Sequence, residues 1–101
     1  VKMGIDLSST EKGRAFLQQY AAAEFQFPLA EYTEYAYDAA LAIIRALESV
    51  EGVPTRDAMA DAIAKVTVNG VSGTFSFDAT GQTTLARGRI LTAVNGNWIV
   101  Q

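Results

Sequence analysis

Histidine and cysteine are both absent from the 101 residues, so the side chains that could do chemistry are acids and tyrosines. Losing imidazole removes the commonest general base near neutral pH and the commonest metal ligand. Losing the thiol removes thiolate nucleophiles, disulfides and Cys-rich metal sites. Glu31, Glu34 and Asp38 stand three and four apart, a spacing that puts them on one helical face, where paired acids can move a proton or hold a cation. With no imidazole and no aromatic-lined pocket implied around them, they read as a solvated helix face. Asp78-Ala79-Thr80-Gly81 combines a carboxylate with a glycine, as calcium and phosphate loops do. A calcium loop needs several spaced oxygen ligands, however, and a P-loop needs a lysine after its glycines and a helix beyond it. The tetrapeptide reads as a turn in which Asp78 accepts from nearby amides and Gly81 takes positive φ. A small hydrolase using Asp38 or Asp78 finds no supporting groups, and the chain reads as non-enzymatic. Asp61 and Lys65 form an ordinary i,i+4 surface pair. Tyr32, Tyr35 and Tyr37 crowd one and a half turns of a predicted helix, where aromatic clustering is usually core, and Tyr37 reads so.

These groups are positioned by a chain with enough apolar residues, 50%, to build one modest core. The formal charge of −3 with eight scattered Lys and Arg excludes a nucleic-acid surface, which needs clustered cations. No cofactor or metal is implied. No apolar run approaches the ~20 residues of a membrane span and no charged-then-apolar leader is present, so a processed or truncated chain is expected from the start at Val1.

Ser8 stands three before Glu11 in capping-box spacing, predicting a helix from there to about Phe25, with Phe16, Leu17, Tyr20 and Ala23 as its apolar stripe. Gly13 in its second turn is expected to cost roughly 1 kcal/mol relative to Ala. Pro28 forces Phe27 extended and makes 26–28 a connector. The longest helical pattern runs over 29–49, with Leu29, Tyr32, Ala36, Ala39, Ile43, Leu47 and Val50 along one face and Tyr37, Leu41 and Ile44 widening it. A helix apolar over so much of its circumference packs against more than one neighbour. Gly52, Val53 and Pro54 end it, and Thr55 caps a third helix to Lys65 with Met59, Ala62, Ile63 and Val66 inward. The period then becomes alternating, predicting strands at 74–77, 87–94 and 97–100. Residues 82–84 are open to loop or edge strand, and Asn95-Gly96 reads as a type I′ hairpin turn that sets Val94 against Asn97.

Ala36-Tyr37-Asp38-Ala39, the amphipathic helix after it, the segment Gly70 to Gly81 with its Gly-x-x-Gly and Phe77-Asp78, and the final Asn95-Gly96-Asn97-Trp98 hairpin occur in a telling order. Together they resemble the C-terminal end of periplasmic substrate-binding proteins of the branched-chain amino-acid (Leu/Ile/Val) type, the type I family serving ABC importers. Gln82 stands where many relatives carry Asp. The resemblance covers essentially the whole chain but only about the last quarter to third of such a protein. It implies an α/β fold, the C-terminal portion of a two-lobed type I binding protein, with three helices followed by strands and a hairpin, domain-swapped or oligomeric to cover exposed faces. Residues 1–27 would belong to the C-terminal lobe, 28–66 to the N-terminal lobe, and 67–101 would form the closing strands. The parent would capture an amino acid or similar solute outside the cytoplasm and deliver it to a membrane permease. Further partners would be the rest of the parent chain or a second copy. The resemblance also marks Tyr32, five before the motif Tyr37, as an aromatic at the mouth of the ligand cleft. The groups that hold the solute's α-carboxylate and α-amino group lie earlier in the family's chain. The competing reading is a self-contained α/β interaction or oligomerisation domain that binds no solute.

Overall fold

The computed structural model describes residues 2–3, 6–85 and 88–100. A 3-10 turn at Leu7–Ser9 leads into α1 (Glu11–Ala22), followed by α2 (Thr33–Ser49) and α3 (Arg56–Lys65). Three two-stranded antiparallel ladders complete it: β1 (Lys2–Met3) with β4 (Gly88–Arg89), β2 (Val68–Asn69) with β3 (Thr74–Phe75), and β5 (Leu91–Val94) with β6 (Asn97–Val100). This mixed α/β arrangement of three helices and short strand pairs agrees with the expected fold class. No helix among the described residues is long and apolar enough to cross a membrane.

Local chemistry accounts for most boundaries. Thr55 caps α3 as expected, its hydroxyl accepting from the Ala58 N–H at 3.1 Å. The cap of α1 lies two residues later than expected. Thr10, not Ser8, is the cap and accepts from the Gly13 N–H at 3.0 Å, while Ser8 sits in the preceding turn and donates to Asp6. Gly13 reverses its expected sign, because a Cβ there would collide with the Leu7 carbonyl oxygen. The close approach of turn to helix requires glycine. α1 ends at Ala22, three residues short of the expected stop, and the Tyr20 hydroxyl ties the connector back by donating to the Phe27 carbonyl at 3.0 Å.

The hairpin over β5 and β6 has the predicted register, with Val94 opposite Asn97 and both turn residues at positive φ, Asn95 at 50° and Gly96 at 78°. Arg87, the expected start of that strand region, lies outside the described residues. Residues 82–84 fold back on β3's extension: Phe77 bridges Thr83, and the Thr84 N–H donates to the Ser76 carbonyl at 2.9 Å.

The core is small. Ala42, Val68 and Phe75 form its centre, with Leu41, Val66, Phe77 and Leu85 packed around it and the Phe75 and Phe77 rings edge-on at 5.9 Å. The α3 positions expected inward, Met59, Ala62, Ile63 and Val66, are half-buried. In α2 the expected face is the wrong one. The buried positions are Asp38, Ala42 and Ala46, whereas Ala36, Ala39, Ile43 and Leu47 of the expected face are exposed. Both faces are apolar, and the small side chains at 42 and 46 let neighbouring elements approach most closely. Tyr37 is likewise not core: it is half-exposed, its ring edge-on to Phe16 at 5.2 Å.

The shape is elongated, with a radius of gyration of 16.2 Å, against about 13 Å for a compact domain of this length. The accessible surface is 7489 Å²; a folded monomer of this mass exposes about 5,500 Å². The surplus is apolar in several places: Phe25, Phe27 and Leu29 in the connector, Ile43, Ile44 and Leu47 on α2, and Trp98 and Ile99 on β6.

Candidate functional site

The acidic triplet divides on folding. Glu31 is exposed and Glu34 half-buried, but Asp38 retains only 2% of its surface. Its position one turn before Ala42 and two before Ala46 turns it inward, under the loop joining β2 to β3. One carboxylate oxygen accepts from the Val71 N–H at 2.8 Å. The other accepts from the Ser72 N–H at 2.8 Å and from the Ser72 hydroxyl. The solvated-face reading of Asp38 is therefore corrected: three donors converge on a carboxylate sealed from water. The loop fits because Gly70 has no side chain; a Cβ there would stand 2.5 Å from the Asp38 carboxyl carbon. An acid held by two backbone amides and a hydroxyl is a clamp between α2 and the β2–β3 hairpin. It joins two of the sequence signatures, Ala36-Tyr37-Asp38-Ala39 and the Gly-x-x-Gly loop. Ser72, the member that sequence reasoning misses, shows there only as an ordinary polar residue between glycines. Lys12 of α1 reaches the same region, donating to the Asn69 carbonyl at 3.1 Å. Above the clamp lies a cleft of about 170 Å³ between Tyr35 and Ala39 on one side and Phe75, Phe77 and Leu85 on the other.

Tyr32 occupies the opposite environment. It is the N-cap residue of α2 with φ 71°, a left-handed conformation uncommon for a side chain of this size, and it makes no side-chain cap bond. The turn before the helix is held instead by Thr33, whose hydroxyl accepts from the Ala30 N–H at 3.0 Å and donates to the Ala30 carbonyl at 2.8 Å. The Tyr32 ring, 56% exposed, stands 6.2 Å from the ring of Tyr35. A rigid aromatic face at a helix end, open to solvent, can cover an aliphatic group while its hydroxyl reaches water or a polar atom. A groove of about 420 Å³ runs between α1 and α2, lined by Phe16, Tyr20, Phe25, Thr33, Ala36 and Tyr37.

Asp78 forms the expected turn. One of its oxygens accepts from the Thr80 N–H, the Thr80 hydroxyl and the Gln82 N–H at 2.7 to 2.9 Å, and Gly81 has φ 83°. The Thr80 hydroxyl first, then the Gln82 and Thr80 amides, hold its carboxyl below the usual aspartate range. Among the described residues no group of three or more His, Cys, Asp or Glu is placed to hold a metal ion.

Compared with known protein families, residues 5–97 match the family described as periplasmic binding protein, and the chain belongs to that family. Its members bind solutes and are not enzymes. No curated protein matches the chain. The match spans the clamp, the three helices, β5 and the turn after it, and stops at Asn97, the first residue of β6.

Proposed function

We propose that this chain is the C-terminal part of a solute-binding protein of an ABC importer. The parent captures a branched-chain amino acid or a similar small solute outside the cytoplasm and presents it to the membrane permease. Tyr32 contributes the aromatic wall against the solute's side chain. The observation that carries this reading is the contrast within α2, where one signature residue is locked in a clamp while Tyr32 projects from the helix end with its ring uncovered. The assignment of 1–27, 28–66 and 67–101 to the C-terminal lobe, the N-terminal lobe and the closing strands is part of the proposal. It is supported by the surplus surface, since the exposed connector aromatics and the bare hairpin need further protein against them. The same surplus counts against a self-contained monomeric domain.

Calorimetric titration of leucine, isoleucine and valine into the full-length gene product tests the proposal. Binding is expected for at least one of them. Tyr32→Ala should weaken it by about 1 to 3 kcal/mol, the loss of one aromatic contact. A full-length protein that binds none of the three, or a Tyr32→Ala variant with unchanged affinity and lowered stability, defeats respectively the solute and the site.

A further inference from the structure

We infer that Thr33 is a positioning residue whose hydroxyl holds the Tyr32 backbone in the left-handed conformation that presents its ring. α1 and α3 each start after a threonine whose hydroxyl accepts from the amide three residues ahead, Thr10 from Gly13 and Thr55 from Ala58. α2 departs from that pattern. Its threonine stands one position further in, as the first helical residue, and the cap position goes to Tyr32, which makes no side-chain cap bond. The Thr33 hydroxyl turns backward instead and takes Ala30 at both ends, accepting from its N–H at 3.0 Å and donating to its carbonyl at 2.8 Å. The Thr33 N–H donates to the same carbonyl at 3.3 Å.

These bonds close a four-residue turn over 30–33 with Tyr32 in its third place. The Tyr32 angles, φ 71° and ψ 6°, are those of the third place of a type II turn, where glycine or asparagine is usual. A tyrosine there crowds its Cβ against the backbone, so the conformation persists only while something else fixes the turn. The backbone bond is the longest of the three, and the hydroxyl supplies the two shorter ones. Glycine at 32 would make the same turn without strain and without a ring. A ring kept where the backbone disfavours it points to a side chain needed for itself. A return of φ to negative values would swing the Cα–Cβ bond to a new direction from the helix end and carry the ring from its place 6.2 Å from Tyr35. The consequence for solute affinity rests on the reading of Tyr32 given above; the hold on its backbone does not.

Two measurements on the full-length gene product test it. In tyrosine-labelled protein the Overhauser effect between the Tyr32 amide and α protons, strong only at positive φ, is expected in the wild type and in Thr33→Ser. It should weaken in Thr33→Val, which keeps the shape of the side chain and loses the hydroxyl. In calorimetric titration of leucine, isoleucine and valine, Thr33→Val should raise the dissociation constant at least about threefold, as when about a third of the molecules present the ring correctly. The rise should not exceed that of Tyr32→Ala, and Thr33→Ser should keep wild-type affinity. In a Tyr32→Ala background Thr33→Val should change affinity no further, whereas a general weakening of the helix would act in both backgrounds. A Thr33→Val variant that keeps the Overhauser effect, or that weakens binding equally with alanine at 32, overturns the inference. If Tyr32→Ala weakens binding and Thr33→Val does not, the positioning role fails and the solute reading stands. If none of the three amino acids binds while Thr33→Val alone loses the Overhauser effect, the solute reading fails and the hold of Thr33 on Tyr32 stands.

Discussion

Asp38 and Tyr32 stand six residues apart on one helix and differ in almost every physical respect. Asp38 has a charge that water would solvate well, yet it is sealed beneath a loop and satisfied by three donors. Tyr32 has a ring that water solvates poorly, yet it is largely uncovered. The inversion separates two jobs. A buried, fully hydrogen-bonded carboxylate makes one geometry far better than its alternatives, so it specifies how α2 meets β2 and β3. An uncovered aromatic on a rigid helix end leaves surface free for binding.

The largest expected effect tests the buried side of that contrast. Asp38→Ala leaves the Val71 and Ser72 amides without acceptors and should lower stability by about 3 kcal/mol or more in urea denaturation. A change under about 1 kcal/mol would mean that water or another group replaces the carboxylate. Gly70→Ala attacks the same clamp from the loop, forcing a Cβ against the carboxyl group. A loss of about 1–3 kcal/mol is expected, and combining it with Asp38→Ala should cost less than the sum of the two, because the clash partner is gone. Tyr32→Ala should change stability by less than about 0.5 kcal/mol, as expected for an exposed side chain. A loss comparable to that of Asp38→Ala would erase the contrast.

The smallest effect is electrostatic and lies at the exposed turn. Asp78 has a folded pKa below its ordinary value of 3.8, so its contribution to stability is present above that value and fades as pH falls through the lower folded pKa. Asp78→Asn should therefore reduce the loss of stability on acidification below about pH 3.8. An unchanged acid profile would show that the Thr80 and Gln82 bonds persist in the unfolded chain.

How far the sequence can be read follows the range of the forces involved. The Asn95-Gly96 turn, the Thr55 cap and the Asp78 turn are all legible, because each is decided by a few neighbouring residues and the φ angles they tolerate. The start of α1 is ambiguous by two residues because Ser8 and Thr10 are both competent caps, and the preceding turn on Asp6 takes Ser8. Helix propensity alone misjudges Gly13. Its requirement comes from a close approach of the Leu7 backbone, six residues earlier, that no propensity contains. Tyr37 reads as core from its helical spacing, which says that a face is apolar but not that anything packs there.

What the residues determined by themselves is the family, the three helices and the final hairpin, through the signatures around Asp38 and Gly70 to Gly81 and the alternation that follows Val66; the short strands β1 and β2 were not among them. Tertiary structure alone decided what those signatures are for. Periodicity picks the wider apolar face of α2 and passes over the narrow one built on Asp38, Ala42 and Ala46. The ranking came from Ala42 and Ala46, which admit β2 and α3, and from a loop whose two amides and hydroxyl offset the cost of burying Asp38. A carboxylate is polar by composition and becomes an interior residue only when the chain brings it donors from 33 and 34 positions away.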